Sequence, residues 1–276
     1  MKAFVTFILF MGLTKIFAQT PIEVKIEQRP SSLGVQTAFE VAVPQAKPDD
    51  AIDLWKKTII PGGLLKKTPK MEKVKDEWVV NDVLINDITS LPLNVITQVS
   101  SFPGNIYVRI FLQSEGGFLG SPGSSPETTD AAVKFIREYG VAVYREAVEK
   151  ELKKEENILR GLENDLNRLT RQEKSLGNKI ENAQQDEEEL KDEAKQNKEI
   201  LKDARKNPET QSSEAREELE KQLKSTEKDI NKAQKAQSKF EKKESKNEKE
   251  QREKAFEIEK QKVRVEEVKK KLDNIK

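Results

Sequence analysis

Residues 152–176, LKKEENILRGLENDLNRLTRQEKSL, decide the fold of this chain, because apolar residues recur in them at the spacing of a coiled-coil heptad. The pattern extends over residues 147–276, of which about half are charged. Pro208 interrupts it once, and proline removes a backbone donor and clashes with the preceding helical turn. The sequence therefore predicts a stalk of two long helical arms with a break near residues 207–213.

The apolar rows of the two arms predict the seam along which they pack. If the arms fold back antiparallel about the break, Ile180 meets Phe240 and Leu152 meets Val268. The predicted seam residues are Leu152, Leu159, Leu162, Leu166, Leu169, Leu176, Ile180, Leu190, Leu201, Leu219, Leu223, Ile230, Phe240, Ile258, Val265, Val268 and Leu272.

One interval of this seam is polar. In the antiparallel register, Asn247 and Gln251 face Glu173 and Leu169. Polar side chains leave fewer apolar contacts, so we predict that the hairpin is softest at this level. A parallel homodimer is the alternative to an intramolecular hairpin, because a heptad pattern does not reveal which helices pair.

The first residues predict export. Lys2 gives a positive start, residues 4–13 form a short apolar run, and Ala18 precedes a plausible cleavage site. The apolar run is shorter than the roughly 20 residues that span a bilayer, so we predict a secretory signal peptide at residues 1–18 rather than a membrane anchor. The mature chain would then begin at Gln19 and carry no transmembrane segment.

Composition excludes several kinds of chemistry. The 276 residues include neither Cys nor His, which removes disulfides, thiol catalysis, the usual general base and the commonest transition-metal ligand. The 50 Lys and Arg nearly balance the 49 Asp and Glu, which argues against nucleic acid as a partner. Opposite charges alternate along the stalk, as is typical of a solvated helix surface. We therefore predict no catalytic, cofactor-binding or metal-binding residue.

Residues 19–146 predict an α+β head with a small antiparallel sheet. Apolar and polar residues alternate, with turn-forming residues between the runs, in the segments 22–43 and 93–112. Each segment is typical of a β-hairpin. A helix is predicted over residues 48–57, where acidic residues come first and lysines last, as the helix dipole favours. The wide apolar face of residues 129–147 predicts that the start of the long helix packs on the sheet.

The second segment offers a candidate partner-binding row. Tyr107, Arg109, Phe111 and Gln113 alternate with apolar residues and share one face of the predicted strand. If helices cover only the other face of the sheet, this row is either solvated or a contact surface. We predict that these four residues are candidates for contact with a protein partner.

Four short motifs of the head carry a resemblance. They are Val41-Ala42-Val43-Pro44, Leu54-Trp55-Lys56-Lys57, Asp76-Glu77-Trp78 and Gly116-Gly117-Phe118, followed by the Lys/Glu-rich coiled coil. In this order they resemble a group of exported proteins of Gram-negative bacteria with an α+β head and a C-terminal coiled coil. The resemblance implies a periplasmic or envelope-associated location. That group has no established activity, so it implies no site residue.

Three classes of function follow from these observations. The first is a non-enzymatic interaction or structural protein of the periplasm or envelope, with the head as a docking module and the stalk as a spacer or assembly element. It would bind protein partners, need no cofactor, and could form a homo-oligomer. The alternative is a periplasmic holdase chaperone of the helical-tentacle type, which resembles the Skp/OmpH proteins in outline. An enzyme that uses the carboxylates of Asp76, Glu77, Asp82 or Asp87 is the weakest alternative, because the sequence sets no two of them at a defined separation.

Overall fold

The computed structural model describes residues 22–60, 69–207, 209 and 212–275. Two compact units make up the chain. A head unit contains the described residues up to Lys150 together with those from Lys270 onward, and a hairpin unit contains Glu151–Lys269. The predicted signal peptide at residues 1–18 and Pro208 itself lie outside the described residues.

The head unit is built on a seven-stranded antiparallel sheet with the order β1-β2-β6-β5-β4-β3, in which β7 pairs with β6. The strands are β1 (Val24–Ser31), β2 (Gly34–Pro44), β3 (Glu72–Val74), β4 (Glu77–Val83), β5 (Leu93–Phe102), β6 (Asn105–Ser114) and β7 (Gly117–Phe118). The helices are α1 (Pro48–Ile59), α2 (Pro126–Lys206) and α3 (Ser213–Asp273). The predicted α+β class is confirmed, and β1–β2 and β5–β6 are the two hairpins that the alternating segments indicated.

Helix α1 and the first turns of α2 bury an aromatic cluster on one face of the sheet. Trp55 of α1 is fully buried, and its ring meets Tyr139 edge-on at 4.7 Å and Phe135 at 6.0 Å. The hydroxyl of Tyr139 donates to the backbone oxygen of Ala51 at 2.8 Å, so its polar end is satisfied. Burial raises the pKa of Tyr139, which keeps the phenol neutral and the cluster uncharged.

A glycine within α2 allows the helix to approach the sheet closely. A Cβ at Gly140 would lie 2.8 Å from the side chains of both Ile22 and Val41. Val41 is fully buried in β2 and has no room to move away. Gly140 therefore fixes the depth at which α2 packs on the sheet. Gly161 lies in the same helix but within the hairpin unit, and a Cβ there would meet nothing within 4 Å.

These two glycines form a matched pair for a stability test. We expect Gly140→Ala to destabilise the head by about 1–2 kcal/mol, because overpacking outweighs the gain in helix propensity. Gly161→Ala should instead stabilise the hairpin by about 0.5–1 kcal/mol. Both tryptophans of the chain lie in the head, so denaturant unfolding followed by their fluorescence reports the first effect and far-UV circular dichroism the second. Stabilisation by Gly140→Ala would contradict the close packing.

In the hairpin unit, α2 and α3 pair antiparallel. Hydrogen bonds join the two helices at successive levels. As the residue number of the partner on α3 increases, the residue number of its partner on α2 decreases. The pairs are Thr226–Glu193, Gln234–Glu187, Gln251–Glu173 and Gln261–Glu155, with distances of 2.7–3.4 Å. This is the intramolecular hairpin that the sequence predicted, and its register agrees at the polar level, where Gln251 meets Glu173.

The residues of the predicted seam all lie on the side of their helix that is buried or half-buried. The most deeply buried are Leu169, Leu201, Ile258, Val265 and Val268, each at most 6 % exposed. The ammonium group of Lys179 lies 5.9 Å from the ring centre of Phe240, which sets Phe240 at the level of Ile180 as the antiparallel register requires.

Cysteine crosslinking tests this pairing in solution, since the chain has no cysteine of its own. We expect Ile180→Cys and Phe240→Cys to react with a short bismaleimide within one chain at low protein concentration. The control pairs Ile180→Cys with Leu219→Cys, which the register separates by roughly 30 Å at 1.5 Å per residue, and should not crosslink. Crosslinks that form only between chains would favour the homodimer.

Candidate functional site

The predicted partner-binding row lies on the sheet face opposite α1 and α2, but Phe111 is buried there. The side chain of Phe111 is fully buried and packs with Ala38 and Ile96, which are also buried. Val79 and Phe118 cover the edge of this small cluster. Phe111 thus stabilises the sheet and is not accessible to an outside partner.

The sheet curls so that the β1–β2 turn covers this second face. The backbone N–H of Ser32 in the turn donates to Oε1 of Glu77 on β4 at 2.9 Å. Gln98 on β5 donates to the same carboxylate oxygen at 2.8 Å and to the backbone oxygen of Pro30 at 3.0 Å. Because β6 and β5 lie between β2 and β4 in the sheet order, these bonds require strong curling. Glu77 is therefore the point at which the second face closes.

Arg109 is also committed to a partner inside the head. Its Nε donates to Oε2 of Glu40 at 2.6 Å, and Glu40 is only 7 % exposed. Nη2 of Arg29 donates to the other oxygen of Glu40 at 3.2 Å and also pairs with Glu27. The nearly buried carboxylate of Glu40 is thus paired with both Arg29 and Arg109. Removing either arginine would leave the negative charge of Glu40 poorly compensated. Arg109 therefore balances an internal charge through its Nε.

Tyr107 and Gln113, the other two members of the row, are half-buried and partly accessible. Tyr107 forms an exposed pair with Phe102, whose side chain is 57 % exposed and whose ring meets that of Tyr107 edge-on at 5.3 Å. Phe102 ends β5, directly before the turn at Gly104, which has a φ of 86°. We call Phe102 and Tyr107 the aromatic pair. Phe102 is not in the predicted row, although a large aromatic beside a glycine turn is a signal for exposure.

The described residues offer no centre for metal chemistry and no membrane span. No group of three or more Asp and Glu side chains in them could hold a metal ion. None of the helices as described has a stretch both long and apolar enough to cross a bilayer. Asp76, Asp82 and Asp87 are exposed, whereas Glu77 is buried and engaged in the closure of the sheet. On β5 and β6, Phe102 of the aromatic pair is the large apolar side chain with the greatest exposure, at 57 %.

No protein-family model matches this chain, and neither a characterised protein nor a solved structure shows significant similarity to it. The resemblance to exported Gram-negative proteins consequently contributes no site residue. The geometry of the head and of the hairpin is what supports a function.

The stability that the Glu77 carboxylate gives to the closed sheet depends on pH. Burial alone would raise the pKa of Glu77, but hydrogen bonds from Ser32 and Gln98, with the nearby charge of Lys75, outweigh it and hold the pKa below the ordinary value of 4.5. A lowered pKa in the folded state stabilises the fold above pH 4.5. That contribution is lost as the pH falls through the folded-state pKa.

We expect Glu77→Gln to lower the free energy of unfolding of the head by about 1 kcal/mol at neutral pH. The amide oxygen can still accept the two hydrogen bonds, but these bonds are weaker without the carboxylate charge. As the pH falls from 4.5 through the folded-state pKa of Glu77, the variant and the parent should converge. Tryptophan fluorescence during urea unfolding, repeated across this pH range, measures the difference. The exposed Asp87→Asn is a control that removes one charge, and a gap that does not depend on pH would contradict the role of the carboxylate.

Proposed function

We propose that this protein is a non-enzymatic interaction or structural protein of the bacterial periplasm or envelope. The head serves as a docking module, and the helical hairpin serves as a spacer or assembly element. The observation that carries the proposal is the pairing of α2 and α3 over the whole hairpin unit, because a continuous two-helix rod fixes distance and does no chemistry. The predicted signal peptide supports export.

The length and the contacts of the hairpin suit a spacer. Helix α3 has 61 residues, so at 1.5 Å per residue it is about 90 Å long. Ion pairs cross between the arms near both ends of the unit, from Arg205–Glu220 at 2.7 Å to Arg264–Glu151 at 3.1 Å. Such exposed pairs contribute little free energy each, but they favour one alignment of the two arms.

The end of α3 is fastened within the head unit. Ile275 is only 5 % exposed, and Nη2 of Arg145 donates to its backbone oxygen at 3.1 Å. Lys271 contacts the side-chain oxygen of Gln45 and lies 6.0 Å from the ring centre of Tyr144. Both arms of the hairpin therefore begin or end in the head unit, which resists separation of the arms at that end.

The aromatic pair is the docking surface that we favour on the head. Aromatic side chains are enriched at the centres of protein interfaces, where a few of them supply most of the binding free energy. Phe102 and Tyr107 are held by a tight hairpin, so little conformational entropy is lost when they are covered.

The order of elements argues against the holdase alternative. All seven strands precede α2, whereas chaperones of the Skp/OmpH type insert their helical hairpin between strands of an oligomeric body. A spacer with a docking head needs no such insertion.

Affinity capture after mild crosslinking in the native envelope tests the proposal. We expect the parent protein to retain one or two partners in near-equal amounts, and Phe102→Ala with Tyr107→Ala to reduce retention at least tenfold, as loss of central aromatics does. Leu84→Ala with Leu91→Ala is the matched control, because these side chains are similarly exposed, at 53 % and 56 %, on a different loop. A broad set of unfolded outer-membrane proteins, with suppression of their aggregation in vitro, would instead identify a holdase.

A further inference from the structure

The outward surface of α3 carries a row of nine lysines that the sequence analysis did not identify. We call it the lysine stripe. It consists of Lys221, Lys224, Lys228, Lys232, Lys235, Lys239, Lys242, Lys246 and Lys249. Every one of these side chains is exposed.

Helical geometry aligns the lysine stripe along one side of α3. Successive members are three or four residues apart, and at 3.6 residues per turn all nine fall within a sector of about 100°. The stripe is about 42 Å long at 1.5 Å per residue. Thr226, which is buried and hydrogen-bonds to Glu193 of α2, lies on the opposite side of the helix. The stripe therefore faces away from α2.

Charges that alternate along the sequence are separated around this helix. Within the sector of the stripe, from Lys221 to Lys249, the remaining residue is Asn231, and no acidic residue interrupts the lysines. Of the acidic residues outside this sector, Glu227 pairs with Lys198 of α2 at 2.9 Å and Asp229 pairs with Lys232 at the edge of the stripe at 2.8 Å.

Most of the charge of the stripe remains available. Four members form exposed pairs within one helical turn, with Glu217, Asp229, Glu250 and Glu253, at 2.8–4.0 Å. Pairs of this kind are weak and are easily exchanged for an external anion. In the part of the chain that the structure describes, the other five lysines have no carboxylate within 4.0 Å.

We propose that the lysine stripe docks α3 onto an anionic membrane surface, with the ammonium groups against the headgroups of acidic phospholipids. A straight row of charges on a helix meets a flat surface along its whole length. Each lysine near such a surface strengthens binding about fivefold, or about 1 kcal/mol, so that nine act together strongly although none binds a specific lipid. The inference concerns the hairpin unit alone and does not depend on a partner of the head.

The residue types favour a lipid surface over a nucleic acid. All nine members are lysines, which act as point charges, and none is arginine, whose planar fork recognises phosphate and guanine in fixed geometry. The stripe also lacks the aromatic side chains on which single-stranded bases stack. Loosely held ammonium groups suit headgroups that move laterally.

Vesicle flotation with the full chain tests the proposal. We expect binding to vesicles of phosphatidylcholine mixed with phosphatidylglycerol, weaker binding as salt is raised, and little binding to phosphatidylcholine alone. Lys228→Gln, Lys235→Gln and Lys242→Gln together should weaken binding roughly 100-fold, as the loss of three fivefold contributions requires. Lys195→Gln, Lys202→Gln and Lys206→Gln remove the same charge from exposed positions of α2 and should change binding less than about twofold.

Three outcomes would overturn the inference. They are an absence of binding to the acidic vesicles at low salt, an equal loss in the stripe variant and its α2 control, and binding of a DNA duplex in preference to the vesicles. The substituted lysines are exposed, so helicity by circular dichroism should be the same in both variants and the parent. A failure here would leave the docking role of the head intact, because that role is measured by the capture of a protein partner.

Discussion

The antiparallel packing of α2 against α3 is the constraint on which the rest of this molecule depends. Because the chain has no cysteine and therefore no disulfide, a hairpin of this length depends mainly on the noncovalent packing of its seam. The deeply buried positions, such as Leu169 and Val268, are spread along the seam, so each level contributes modest hydrophobic stabilisation. The same packing returns the end of α3 to the head unit, where Arg145 holds the backbone of Ile275. The alignment of the arms therefore decides both the reach of the hairpin and its closure.

Polar residues in the seam contribute less hydrophobic stabilisation than apolar ones, but they favour one alignment of α2 and α3. Gln251 donates to Glu173 at 2.9 Å and to Asn247 at 2.6 Å, and Asn247 is only 6 % exposed. A shift of one heptad between the arms would break the Gln251–Glu173 bond and leave a half-buried carboxylate without that partner, whereas the Gln251–Asn247 bond lies within α3 and would persist. A buried asparagine specifies register in coiled coils for the same reason. The level that we predict to be the softest is therefore also one that identifies the correct pairing.

Much of the fold could be predicted from the sequence, because periodicity is local. The period of two in β5 and β6 and the heptads of α2 and α3 lie within short windows, and the pairing of the arms needed only the position of the break. The closure of the second sheet face could not be predicted in this way. It depends on Ser32 meeting Glu77 across 45 residues of sequence, and no local pattern indicates that contact. For this reason Phe111 resembled an exposed member of a polar row although it is buried.

The lysine stripe has a different origin, and the seam itself explains it. Residues seven apart keep the same position relative to the partner helix, so a heptad repeat aligns the surface of α3 as strictly as it aligns the seam. Acidic residues at the flanks of α3, such as Glu220 and Glu227, pair with Arg205 and Lys198 of α2. Those two acids are engaged with α2, while the sector of the stripe itself contains only the nine lysines and Asn231. The net charge summed along α3 is close to neutral, because the sum combines these two sides. Sorting the charged residues by heptad position separates the side that packs on α2 from the lysine stripe, which we propose binds an anionic surface.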